Sequence, residues 1–219
     1  MKYLLLLFIT TFLTQYSSGE SMIDDKKRVA DSAEDICPIK VGEKIPSVNV
    51  RNLDSENVDL SKLTLGKKTV LIFYRGGWCP FCNIQLGNLK DLEDDLINLG
   101  YQLVAISIDK PEKLKESIDK NQLNYTLLSD SKAEASIAFG LAFKVSDDYN
   151  KMLLGYNMNI EQASGEEHHI LPVPGVFLLD EDSVIQFEYV NPNYKVRLNE
   201  QILLKAAEEL SSEINNANK

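Results

Sequence analysis

Thr69-Val-Leu-Ile-Phe-Tyr74 is an unbroken apolar and β-branched run. A strand with one wet face alternates apolar and polar side chains, so a run without alternation belongs to a strand covered on both faces, as in the middle of a parallel sheet. Directly after it, Ile84, Leu89, Leu92, Leu96 and Leu99 recur at helical spacing with charges between them, and Gly100 stands where a helix stops. The same alternation continues. Leu103–Ile108 reads as a strand, Pro111–Asn121 as a helix opened by Asp109-Lys110-Pro111, and Tyr125–Leu128 as another strand. Serial strand and helix units imply parallel strands covered by helices.

The flanks add antiparallel pieces. Val48-Asn49-Val50 and Asn57–Leu60 alternate around Asp54-Ser55-Glu56, predicting a leading hairpin. Residues 131–142 read as a further helix. Phe143–His169 is a polar insertion anchored by Met152, Leu153, Leu154 and Tyr156, of a length often used for lids or binding loops. Val176–Leu179 and Val184–Tyr189 flank Asp180-Glu-Asp-Ser183 as an antiparallel pair. Ile202, Leu203, Ala206, Leu210 and Ile214 mark one face of a closing helix.

Ahead of this pattern, Lys2, an eleven-residue apolar run from Tyr3 to Leu13, and Ser17-Ser18-Gly19 have the order of a signal peptide. The run falls short of the roughly 18 apolar residues that a membrane anchor needs. The expected organisation is therefore a cleaved segment 1–19, a flexible or helical lead-in 20–40 and one domain over 41–219. The expected location is exported, periplasmic or secreted, with no integral membrane span in the mature chain. The charge balance, 23 Lys and Arg against 33 Asp and Glu for a net −10, speaks against nucleic acid and anionic membrane as partners. Three cysteines in 219 residues cannot serve as a scaffold, so cysteine chemistry must come from one local arrangement.

That arrangement is Tyr74-Arg75-Gly76-Gly77-Trp78-Cys79-Pro80-Phe81-Cys82, at the junction of the buried strand and its helix. The unpaired amides and partial positive charge of a helix start favour a thiolate. Cys79, nearer the terminus and expected to be the more exposed, is the candidate nucleophile. Cys82, one turn inside, can attack a mixed disulfide or sulfenic acid on Cys79. Two other readings stand beside this one: ordinary buried cysteines, or a Zn²⁺ site using Cys79, Cys82, His168 and His169. Adjacent histidines on an extended segment point apart, so the metal reading needs a special loop.

These nine residues, with Leu171-Pro-Val-Pro-Gly-Val-Phe-Leu-Leu-Asp180 further on, resemble the peroxiredoxin-like branch of the thioredoxin superfamily, the alkyl hydroperoxide reductase and thiol-specific antioxidant group. The resemblance covers roughly residues 40 to 210. It implies an α/β thioredoxin-like fold with a central mixed sheet flanked by helices and an N-terminal β-hairpin extension. It implies a thiol-dependent peroxidase working through Cys79 and Cys82 on hydroperoxides and restored by a thioredoxin-like dithiol, with no cofactor and no metal. The alternative is an exported thiol-disulfide oxidoreductase acting on protein cysteines. Pro174 takes the place of the family's cis-proline facing the cysteines; without the family it reads as a turn residue.

Two positions depart from the pattern. Gly76 stands where peroxiredoxins carry a threonine three residues before the reactive cysteine, and Pro174 where they carry an arginine. Arg75 and Arg197 are the candidate replacement cations, although an arginine at a strand end also commonly pairs with a carboxylate. Trp78 completes the site set of Cys79, Cys82, Pro174, Arg75 and Trp78. His168 and His169 are candidate proton donors, and Cys37 is either a free thiol or an extra resolving cysteine.

Overall fold

The computed structural model describes residues 28–217, with side chains to residue 212. Residues 1–19, on which the signal-peptide expectation rests, lie outside the described residues. Among the described residues, nine strands fall at β1 Asn49–Arg51, β2 Asn57–Asp59, β3 Lys68–Phe73, β4 Tyr101–Ser107, β5 Thr126–Ser129, β6 Ala142–Lys144, β7 Ile170–Pro172, β8 Gly175–Leu179 and β9 Ile185–Val190. Seven of them form one mixed sheet in the order β2-β1-β5-β4-β3-β8-β9. Strands β3, β4 and β5 are parallel, whereas β8 and β9 extend the sheet antiparallel from β3 and the β1–β2 hairpin closes the other edge.

The sheet separates two apolar layers because successive side chains on a strand point to opposite faces. From β3, Val70 and Ile72 enter one layer with Cys79, Cys82, Leu86, Leu114 and Leu203, while Leu71 and Phe73 enter the other with Leu60, Ala135 and Phe139. Helices α2 (Pro80–Asp91), α3 (Glu93–Asn98), α4 (Pro111–Asn121) and α8 (Glu200–Ala217) cover the first layer. Helices α1 (Leu60–Thr64) and α5 (Glu134–Ala138) cover the second.

Several expectations are corrected. The stripe from Ile84 to Leu99 is two helices, broken at Leu92. The acidic run Glu93-Asp94-Asp95 would oppose the dipole at the end of α2 but favours the start of α3. Ile84 is 62% exposed, since the buried face of α2 is set by Cys82, Leu86 and Leu89. The helix expected over 131–142 shrinks to α5, capped when the Asp130 carboxylate accepts the Ala135 and Ser136 N–H groups. Ala142–Lys144 instead pairs with β7 as a separate ribbon.

The insertion 143–169 is not loose. It holds α6 (Asp147–Gly155), started by the Ser146 hydroxyl, and α7 (Ile160–Ser164), started by Asn159. Of its four expected anchors only Leu153 is buried; Met152, Leu154 and Tyr156 are exposed. On α8 the buried stripe is Leu203, Ala207 and Ser211, leaving Ile202 outside.

Candidate active site

β3 ends at Phe73, and Tyr74 keeps one more sheet bond through its N–H to the Ile106 carbonyl. The chain then turns through Gly76, whose φ of 148° is an angle that side chains rarely adopt. A Cβ there would collide with Trp78 Nε1 and Asp109 Oδ1. The threonine position of the family pattern is thus occupied by the residue that this tight turn requires.

Cys79 is the N-cap of α2, followed by Pro80 in the first turn. Its carbonyl accepts the Cys82 and Asn83 N–H groups, and the Asn83 side chain donates back to the Gly77 carbonyl at 2.8 Å. The expectation that Cys79 is the exposed cysteine is corrected: it is 1% exposed, and Cys82 is fully buried. Trp78, Phe81 and Tyr194 pack against the layer that holds both cysteines.

The two thiols nonetheless differ sharply. The Cys82 thiol, a hydrogen-bond donor to the Cys79 sulfur, together with the Arg75 and Arg197 charges, outweighs burial and brings Cys79 down to about 6. Burial and the neighbouring Cys79 charge push Cys82 well up, more than Arg197 offsets. At neutral pH the pair is a thiolate at Cys79 beside a thiol at Cys82. All three cysteines are free.

Arg75 is 2% exposed and pairs with no carboxylate among the described residues, which excludes the ion-pair reading there. Its guanidinium lies 4.1 Å from the Tyr194 ring centroid, 5.0 Å from Trp78 and 5.5 Å from Tyr149, a cation held by three aromatic faces. Nε and Nη2, the two donors of one guanidinium edge, have no hydrogen-bond partner. They belong to a side chain lining a cavity of about 380 Å³ whose wall includes Tyr149, Val173, Pro174 and Tyr194. Arg197 reaches the second cysteine, its Nη2 donating to Cys82 Sγ at 3.3 Å.

Pro174 lines this cavity, but its peptide bond is trans, as are all those of the described residues. The cis expectation is corrected. Val173, between β7 and β8, donates its N–H to the Leu141 carbonyl, and the bond keeps the usual preference of about 0.5–1 kcal/mol for trans.

The histidines are engaged elsewhere. His168 Nε2 lies 2.8 Å from the Ser131 carbonyl and its Nδ1 accepts the Ile170 N–H, while His169 pairs with Glu161 at 2.6 Å. Neither stands beside the thiolate. Among the described residues no group of three or more His, Cys, Asp and Glu side chains is gathered as a metal would need. Cys37 is exposed, and its neighbour Ile39 packs into the layer on the far side of the sheet from Cys79 and Cys82.

Sequence reasoning missed Tyr149, Tyr194 and Asp109. The aromatic pair had no local signal, because each comes from a different segment. Asp109 had one: it follows the carboxyl end of β4, where open α/β sheets build their sites.

A mixed sheet with two cysteines at the first turn of the helix after a central strand defines a thioredoxin-like α/β protein. The chain belongs to the AhpC/TSA family, whose model matches residues 41–188. It is 36% identical over 104 residues to peroxiredoxin Bcp of Escherichia coli, covering 48% of this chain and 66% of that protein, and 33% identical over 114 residues to a putative peroxiredoxin of Mycobacterium tuberculosis, covering 52% and 71%. Peroxidoxin BcpB of Mycobacterium tuberculosis superposes with a TM-score of 0.59 at 18% identity, covering 78% of this chain and 97% of that one. Reduced Prx3 of Vibrio vulnificus in complex with H2O2 superposes at 0.64 and 18%, covering 77% and 99%. The export expectation is corrected by these relatives, because the Bcp peroxiredoxins are cytoplasmic. No helix among the described residues is long and apolar enough to cross a membrane.

Proposed function

We propose that the protein is a thiol-dependent peroxidase in which Cys79 is the nucleophile and Cys82 the resolving thiol. The observation that carries this reading is the ionisation of Cys79 at about 6 between two arginines, next to a Cys82 that stays protonated. The thiolate attacks one peroxide oxygen; an S–O bond forms, the O–O bond breaks, and the leaving hydroxide or alkoxide takes up the proton that Cys79 gave to solvent on ionising. Cys79 is then a sulfenic acid. Attack by the Cys82 sulfur expels water and forms the disulfide, and an external dithiol of the thioredoxin kind reduces it while becoming a disulfide itself.

Arg75 supports the first step. Its free Nε–Nη2 edge presents two parallel donors to a pair of oxygens and stabilises the charge that develops on the leaving one. Val173 and Pro174 line the same cavity as Arg75, through which a peroxide would approach the guanidinium. The reading is tested by mass spectrometry after one equivalent of hydrogen peroxide. The wild type should carry a Cys79–Cys82 disulfide, and Cys82→Ser should carry a sulfenic acid on Cys79. Oxidation confined to Cys37, or a sulfenic acid on Cys82 in Cys79→Ser at the wild-type rate, would overturn it.

A second reading, reduction or oxidation of protein disulfides, is favoured by the two-residue spacing of the cysteines at the start of α2. It requires the same thiolate but makes no use of the free edge of Arg75.

A further inference from the structure

Asp109 is a buried ionisable group at this loop that the peroxide chemistry does not use. It is 1% exposed, its Oδ2 accepts the Gly77 N–H at 2.6 Å, and its Oδ1 has no partner. The indole Nε1 of Trp78 is also buried without a partner. Both orphans border the space that a Cβ on Gly76 would fill, so the carboxylate and the indole N–H share one small gap beneath the turn. Buried polar groups are nearly always satisfied, and here a donor and an acceptor face one gap, so the indole N–H is placed to favour the charged form of the carboxylate.

We propose that Asp109 is a positioning residue that holds the Gly76–Trp78 turn, and through it the N-cap geometry of Cys79, by an acceptor bond whose strength depends on whether its carboxyl carries a proton. As a carboxylate it accepts a charge-assisted bond from Gly77, two residues before Cys79, and attracts the indole. As a carboxylic acid it keeps only a neutral bond to Gly77 and the turn loosens. The proton comes from solvent through a cavity of about 230 Å³ that Asp109, Gly77 and Trp78 line.

The charged groups facing that cavity are Lys113, Glu116 and Lys120, all on α4, and the amides Asn157, Asn159 and Gln162 face it from the other side. Within the core the Tyr74 phenol feels the Asp109 charge, and burial together with that charge keeps it neutral. Burial pushes the Asp109 carboxyl up to about 7, against the Gly77 N–H, the indole and the more distant Lys113. The change of state therefore falls close to neutral pH.

Trp78 is the chain's one tryptophan, so its fluorescence reports this turn directly. The experiment uses the full chain with Cys79→Ser, which removes the thiolate and makes the result independent of peroxidase activity. Fluorescence should change between pH 6 and 8 with a midpoint near 7, and the change should disappear in Cys79→Ser/Asp109→Asn. Without any change at Asp109, the Gly77 amide in a ¹⁵N–¹H spectrum of Cys79→Ser should move with the same midpoint. With Cys79 present, Asp109→Asn should slow its alkylation at pH 8 about fivefold, the ratio between a charged and a neutral acceptor, and leave the profile with one ionisation. A fluorescence step that survives Asp109→Asn, or a Gly77 amide that does not move between pH 6 and 8, would contradict the proposal. Loss of peroxidase activity with both titrations intact would instead count only against the peroxidase reading.

Discussion

Arg197 Nη2 and Cys82 Sγ are 3.3 Å apart, joining the segment before α8 to the second cysteine of the motif across 115 residues of sequence. The remaining Arg197 nitrogens, Nε and Nη1, are buried without partners, so the guanidinium is held for its charge. It lowers the pKa of both cysteines, and it bears most directly on Cys82, which must ionise to resolve the sulfenic acid.

Arg197→Met should slow disulfide formation after the sulfenic acid has formed by about tenfold, as expected for losing a bond to a charged group, with a smaller effect on the first oxidation. Stopped-flow oxidation followed by acid quench and peptide mapping separates the two steps. Equal slowing of both would show that Arg197 acts on Cys79 instead.

Arg75→Met removes the free guanidinium edge. Loss of a charge-assisted bond of about 1.5–3 kcal/mol predicts a ten- to hundredfold slower reaction of Cys79 with hydrogen peroxide. Exchange with a small disulfide should change far less, since it places no developing charge on oxygen. If both fall together, Arg75 serves to lower the thiolate pKa.

The Cys79 contribution to the pH dependence is isolated by comparing wild type with Cys79→Ser, which leaves the buried Asp109 and Asp130 carboxyls in both proteins. Its pKa is depressed by folding, so the thiolate stabilises the fold at high pH and that contribution is lost as pH falls through about 6. The stability difference between wild type and Cys79→Ser, from urea unfolding, should be larger at pH 8.5 than at pH 5. A difference that does not vary with pH would remove the depressed pKa.

Gly76→Ala should cost about 1–3 kcal/mol, because alanine must adopt a disfavoured φ and its Cβ would strike the Trp78 indole and Asp109. Thermal unfolding measures the loss, and Gly87→Ala, at a position where a Cβ meets nothing, is the control that should not destabilise.

The central architecture was legible because its signals are local. The apolar run at Thr69–Tyr74 could only be a doubly covered strand, and Pro111–Asn121 is bounded by a proline that starts a helix and by Gln122, which turns left-handed to end it. The break at Leu92 was obscured because the leucine spacing continues through it while the charges do not. The cysteine motif was equally plain, but its burial was not. Of the rings packed against that layer, Tyr194 comes from far away in sequence, and no periodicity connects Tyr194 or Tyr149 to Arg75. The trans bond at Pro174 depends on how β7 leads into β8, which the sequence of that segment does not display.

The most direct test of the account is the rate at which Cys79 in the Cys82→Ser protein is oxidised by hydrogen peroxide at pH 7, read by peptide mass spectrometry so that Cys37 is scored separately. The Arg75 and Arg197 charges beside Cys79 predict oxidation about a hundredfold faster than a small thiolate of the same pKa. Oxidation no faster than that thiolate, together with rapid exchange between the wild-type cysteines and a protein disulfide, would contradict the peroxidase reading and leave disulfide exchange as the chemistry of Cys79 and Cys82.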